Sequence, residues 1–78
     1  MDNNIKRYNY IYNFGAKIIK NYINEVPELR FGQLMSNFGT WLKINKKIDI
    51  FYIEDEDFLT YFNEFTKEMR KTYVKCEN

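Results

Sequence analysis

The sequence predicts an all-α fold, a small three-helix domain with a short extended connector between helices 2 and 3. Apolar residues recur at spacings of three and four in three separate stretches, the one Pro stands between the first two, and a run of four acids opens the third. With 78 residues the chain makes one domain, 1–78, and a domain of that size buries only about 60–70% of the surface of its unfolded chain. The core therefore has to be dense. Seven Phe, seven Tyr and one Trp supply the bulk, and three Gly with one Pro argue against linker or disorder.

The first helix is expected from Ile5 to Val26. Ile5, Tyr8, Ile11, Tyr12, Ile18, Ile19, Tyr22, Ile23 and Val26 fall within an arc of roughly 140° at 100° per residue. Gly15 stands where this stripe needs another member, and Lys6, Asn13, Lys17, Lys20 and Asn24 fall outside it. Asn3 or Asn4 can cap the start. Pro27 ends the helix, because proline disfavours the helical conformation of the residue before it and suits the first turn of a following helix.

A second helix is expected from Pro27 or Glu28 to Lys43, with Phe31, Leu34, Met35, Phe38, Trp41 and Leu42 on one side. Gly32 and Gly39, seven residues apart, suggest that another backbone comes close on that edge. A ligand phosphate there is the weaker reading, since no Gly-rich loop precedes the helix.

From Ile44 to Ile53 the pattern becomes a basic turn followed by a short extended segment. One short strand cannot form a sheet alone, so the segment either straps the helices or pairs with a second copy. A homodimer is expected on that ground, and because Tyr10 and Phe14 lie outside the main stripe of the first helix. The third helix runs from Asp55 to about Val74 and buries Phe58, Leu59, Tyr61, Phe62, Phe65, Met69 and Tyr73. Its acids stand at the amino end and Lys67, Arg70, Lys71 and Lys75 near the carboxyl end, as the helix dipole favours.

Composition excludes several chemistries. With no His, the commonest neutral-pH acid–base group and metal ligand is missing. Cys76 is the only cysteine, so no intramolecular disulfide or zinc-ligand pair forms, and a reducing, cytoplasmic setting in a host cell is expected. Lys6, Arg7, Lys17 and Lys20 interrupt the apolar residues of the first helix, which leaves no run for a membrane span. Ser36, the only serine, lacks a His to activate it. The expectation is no enzyme, with no catalytic residue, metal or cofactor.

Three constellations remain as candidates. Glu54, Asp55, Glu56 and Asp57 suggest a metal site, but consecutive helical residues point about 100° apart and cannot converge on one ion. Helix capping or an acidic recognition surface suits them better. Lys6, Arg7, Tyr8 and Tyr10, and again Trp41, Lys43, Lys46 and Lys47, mix bases with aromatics as nucleic-acid binders do. Tyr8 and Trp41 lie on or beside apolar stripes, however, and a net charge of +1 gives no bulk attraction, so nucleic acid is the less favoured partner. Arg30, Gln33 and Asn37 line one flank of the second helix with Trp41 a turn further on. A forked cation and two amides beside an indole have the make-up of a binding hot spot. The alternative is that Arg30 pairs with Glu28 or a nearby acid and the amides are solvated.

Pro27-Glu28-Leu29-Arg30-Phe31-Gly32-Gln33-Leu34, followed by Asp49-Ile50-Phe51-Tyr52-Ile53-Glu54-Asp55, resembles a group of short proteins from phages and prophages of low-GC Gram-positive bacteria. The shared words are an Arg-Phe-Gly-Gln helix start and a Phe-Tyr-x-Glu-Asp step into the last helix, and they cover about the central third of the chain. The resemblance implies an origin in a mobile element and supplies no catalytic residue. By analogy with phage accessory proteins, the expected function is a non-enzymatic protein-binding module, an inhibitor or modulator of a host protein or defence complex in the anti-CRISPR manner. Its partner is a host or phage protein. Expected contacts are Arg30, Gln33, Asn37 and Trp41, with Glu54, Asp55, Glu56 and Asp57 as a second patch. The competing expectation is a nucleic-acid-associated regulator or replication accessory protein using the Lys43 to Lys47 turn.

Overall fold

In a computed structural model the chain forms three α-helices, α1 (Asp2–Glu25), α2 (Phe31–Asn45) and α3 (Asp55–Glu77), with one 3₁₀ turn at Ile50–Tyr52 between the last two. The structure describes the backbone of residues 2–77 and the side chains of residues 4–72. The expected cap Asn3, core member Tyr73, cation Lys75 and lone Cys76 have side chains outside that range. The small all-α domain is as the periodicity predicts, and no strand occurs among the described residues.

Helices α1 and α3 run parallel. Tyr10 reaches Asp55, Asn21 meets both Asn63 and Thr66, and the Asn24 carbonyl receives Arg70. The near-constant offset between partners is that of two helices climbing together, and α2 packs across α3 through Phe38 and Trp41. Register is held by a polar clasp. Thr66 is completely buried, and its hydroxyl hydrogen-bonds the Asn21 amide oxygen at 2.5 Å and the Asn63 carbonyl at 3.1 Å, while the Asn21 amide donates to Asn63 at 3.1 Å. A hydroxyl has one proton, so its contacts are satisfied in turn rather than together.

The core is built around Phe38, which has no exposed surface. Its ring meets Phe58 and Phe62 edge-on at 5.0 and 5.2 Å, lies 5.3 Å from Phe65 and stacks on Trp41 at 6.1 Å. Edge-to-face and offset arrangements set the positive ring edge against the negative face of a neighbour, which adds to burial. Leu34 and Leu42 one turn away on either side, with Ile18, Val26 and Leu29, complete the packing.

Several elements differ from the sequence reading. α2 begins at Phe31, not at Pro27 or Glu28, because Val26 and Leu29 are both buried in the turn between helices. Leu29 N–H donates to the Val26 carbonyl and the Tyr22 hydroxyl donates to the Leu29 carbonyl, so the chain is pinned before α2 can start. Asn4 lies inside the first turn of α1 rather than capping it. Gly39 has side chain, not backbone, as its neighbour: a Cβ there would stand 3.8 Å from Ile50, and one at Gly32 would meet nothing within 4 Å.

The largest correction concerns α1. Tyr10, Phe14, Ile18 and Tyr22 turn toward the rest of the fold, with Phe14 5.7 Å from Phe58. Ile5, Tyr8, Ile11, Tyr12, Ile19 and Ile23 are exposed. Helical period identifies a helix but not its buried side when apolar residues occupy more than half the circumference.

The segment from Ile48 to Ile53 is a strap, not an unpaired strand. The Asp49 side chain accepts the Phe51 N–H at 2.9 Å and its carbonyl accepts the Tyr52 N–H, closing the 3₁₀ turn. Ile50 and Ile53 then face the core while Phe51 and Tyr52 point outward. Upstream, Lys47 sits at φ 60°, the left-handed position where a helix stop commonly places glycine, and Ile48 N–H reaches back to the Leu42 carbonyl.

Two expected outcomes follow from this packing. Phe38→Ala should cost about 3–5 kcal/mol in chemical denaturation, since no neighbour can refill a site shared by four rings. Lys47→Gly should instead stabilise the fold by roughly 1 kcal/mol, because glycine carries no Cβ penalty in the left-handed region. A lower melting temperature for Lys47→Gly would show that the lysine side chain holds the turn.

Candidate partner-binding surface

The Arg30 ridge is organised first by the needs of helix α2. Arg30 is the N-cap residue, extended at φ −71° and ψ 147°, and its N–H donates to the Gln33 side-chain oxygen at 3.1 Å. A guanidinium has no acceptor, so the reciprocal half of a capping box cannot form and the Arg30 head group is left to solvent. It makes no ion pair among the described residues. Asn37 is exposed, and helical geometry sets Gln33, Asn37, Thr40 and Ile44 on one outward face.

Trp41 borders that face. Its ring packs on Phe38 and lies 5.7 Å from Phe65, and its indole N–H donates to Glu68 at 2.6 Å. The ammonium of Lys46 lies 5.6 Å from the Trp41 ring and 4.9 Å from Tyr61, and pairs with Glu64 at 3.0 Å. The basic turn after α2 is thus partly neutralised by an acid of α3.

The four acids are spread around the start of α3. The Glu54 carbonyl accepts the Phe58 N–H at 2.8 Å, and Asp55 accepts the Tyr10 hydroxyl at 2.7 Å. Together with Tyr10 they line a shallow depression. No group of three His, Cys, Asp or Glu side chains is placed to share an ion among the described residues. The hydrogen bond from Tyr10 to Asp55 raises the phenol above its ordinary value of 10.0, helped by desolvation and by the Asp55 charge, with Arg7 opposing. Arg7 lies 5.5 Å from the same ring.

Sequence reasoning missed two of the three most exposed aromatics. Phe51 and Tyr52 are 81% and 77% exposed and meet edge-on at 4.9 Å. The turn that carries them borders, through Asp49 and Ile50, an open groove of about 270 Å³ against α2, lined there by Met35, Gly39, Thr40 and Lys43. Two signals were present: Phe51 and Tyr52 are consecutive between Ile50 and Ile53, so no alternating pattern buries both, and Asp49 stands where an Asx turn begins.

The Tyr10 contact gives a pH signature. A group held in its protonated form contributes stability below its unfolded value, here 10.0, and loses it as pH rises through the higher folded value. Tyrosinate absorbance should therefore show Tyr10 ionising later than in Asp55→Ala. Identical titrations of the two proteins would mean that the Tyr10–Asp55 bond does not persist in solution.

Comparison with known proteins leaves this surface to be read from its own chemistry: no family model, no curated protein and no solved structure matches the chain.

Proposed function

We propose that this chain is a non-enzymatic protein-binding module that recognises its partner through the outward face of α2 and the aromatic corner beside it. The observation that carries this reading is the Phe51–Tyr52 pair, held outward by the Asp49-capped turn next to an open groove. A backbone turn fixed before binding presents its aromatic side chains without the cost of ordering the loop on contact, which suits a hot-spot anchor. Arg30, Gln33 and Asn37 extend the surface with donors and amides, Trp41 forms its edge, and Glu54 to Asp57 supply an acidic patch at the start of α3. Taken with the resemblance to phage and prophage proteins, the partner is a host protein or defence complex of a low-GC Gram-positive bacterium, and the outcome of binding is inhibition or modulation.

A second reading, a nucleic-acid-associated regulator or replication accessory protein, has one observation in its favour. Lys17, Lys20 and Lys67 line a groove between α1 and α3 together with Asn21, Asn24 and Asn63, and only Glu25 opposes them there. Phosphate contacts release counterions, so this reading requires retention on heparin that fades with modest salt.

The test is affinity capture from lysate of such a host, with wild type beside Phe51→Ala, Tyr52→Ala and Arg30→Ala. Each variant should lose the captured protein by about 30-fold or more in affinity, the scale of a 2 kcal/mol hot spot, with the melting temperature unchanged. Capture that survives all three substitutions would remove the α2 surface from consideration, and salt-labile heparin retention would favour the regulator.

A further inference from the structure

Most of the exposed large apolar side chains of the fold lie on α1. Ile5, Tyr8, Ile11, Tyr12, Ile19 and Ile23 are all half exposed or more, Tyr12 at 78%, and Phe31, against the Tyr22 ring, continues the patch beyond the helix end. No charged residue falls on this arc, since Lys6, Arg7, Lys17 and Lys20 all project outside it. Counted outward from Gly15, apolar residues stand three, four and seven places away on both sides: Ile11, Tyr12 and Tyr8 before it, Ile18, Ile19 and Tyr22 after it. Ile18 and Tyr22 already belong to the core, which leaves Ile11 and Ile19 as the exposed pair. Gly15 lies near the middle of α1, and a Cβ built there would meet nothing within 4 Å, so nothing inside the fold calls for a glycine.

We infer that this face is covered by α1 of a second copy, the two helices crossing antiparallel at Gly15. An isologous contact sets the same patch on itself, and an antiparallel crossing at Gly15 brings Ile11 of one copy level with Ile19 of the other, both exposed. The glycine then has a role, because backbones approach most closely where no side chain intervenes. The antiparallel sense also suits the flanks. It lays Lys20 of one copy beside Asn9 of the other, whereas a parallel pair would bring every lysine opposite itself. The six exposed side chains offer on the order of 700 Å² per copy, close to the roughly 800 Å² per partner of a standard interface.

This dimer is centred on α1, uses neither the strap nor Tyr10 and Phe14, and meets α2 only at Phe31, so it and the proposed α2 surface can each fail alone. Light scattering at tens of micromolar should report twice the 9.6 kDa of one chain. Tyr12→Glu and Ile19→Glu should each give monomer with the circular dichroism of a folded protein, because both side chains are exposed in one copy. In a Cys76→Ser background, Gly15→Cys should form a disulfide-linked dimer under mild oxidation and Ile5→Cys should not, since only a residue at the crossing meets itself. A monomeric wild type, a dimer indifferent to both Glu substitutions, or crosslinking through Ile5→Cys but not Gly15→Cys would overturn the inference. So would wild-type monomer that binds phosphatidylglycerol vesicles through Tyr12 and Ile19, which would assign the face to a lipid surface.

Discussion

The clasp of Thr66, Asn21 and Asn63 sets the register of two parallel helices, and the remaining architecture has to accommodate it. Parallel neighbours cannot be joined by a short turn, so the chain needs an intervening element that returns it to the starting level. Helix α2 is that element, and it packs across the middle of α3, where Trp41 meets Glu68 and Lys46 meets Glu64. A buried hydroxyl without partners would cost free energy; here it is matched by amides from both long helices.

Because α2 returns across the pair, one of its residues can touch much of α3. Phe38 takes that position and gathers Phe58, Phe62 and Phe65 of the long helix along with its own neighbour Trp41. The same placement leaves the opposite side of α2 open to solvent and lets the strap dock through Ile50 against Gly39. Core and candidate surface are therefore two sides of one helix. Gln33 illustrates the division, since the side chain that stabilises the first turn also stands on the outward face.

Three helices, their order and the aromatic composition of the core were legible in the sequence, because periodicity and the placement of Pro27 and the acidic run are local signals. The buried side of α1 was not. Ile and Tyr occur around so much of that helix that the face meeting α3 is chosen by the parallel register, a tertiary constraint with no local signature. The start of α2 was hidden for a related reason: Val26 and Leu29 read as helix-compatible residues, and only their shared burial holds the chain in a turn. At the candidate surface, Arg30, Gln33 and Asn37 could be grouped by spacing alone. The outward turn of Phe51 and Tyr52 depends on the Asp49 cap and on Ile50 finding the core, which spacing does not reveal.

The register has a consequence for the first turns of α1. Tyr10 is level with the first turn of α3, so the turns before it project past the helix that supports the remainder, and every described side chain from Asn4 to Asn13 is exposed. An unsupported helical stretch of this length is marginal in water, since propagation alone barely repays nucleation. Opening of these turns is thus governed by a smaller free energy than global unfolding, and amide exchange there is decoupled from exchange at Phe38 or Phe62. If a second copy covers the face, order in this segment is linked to association, and its helicity becomes a function of protein concentration while that of the core does not.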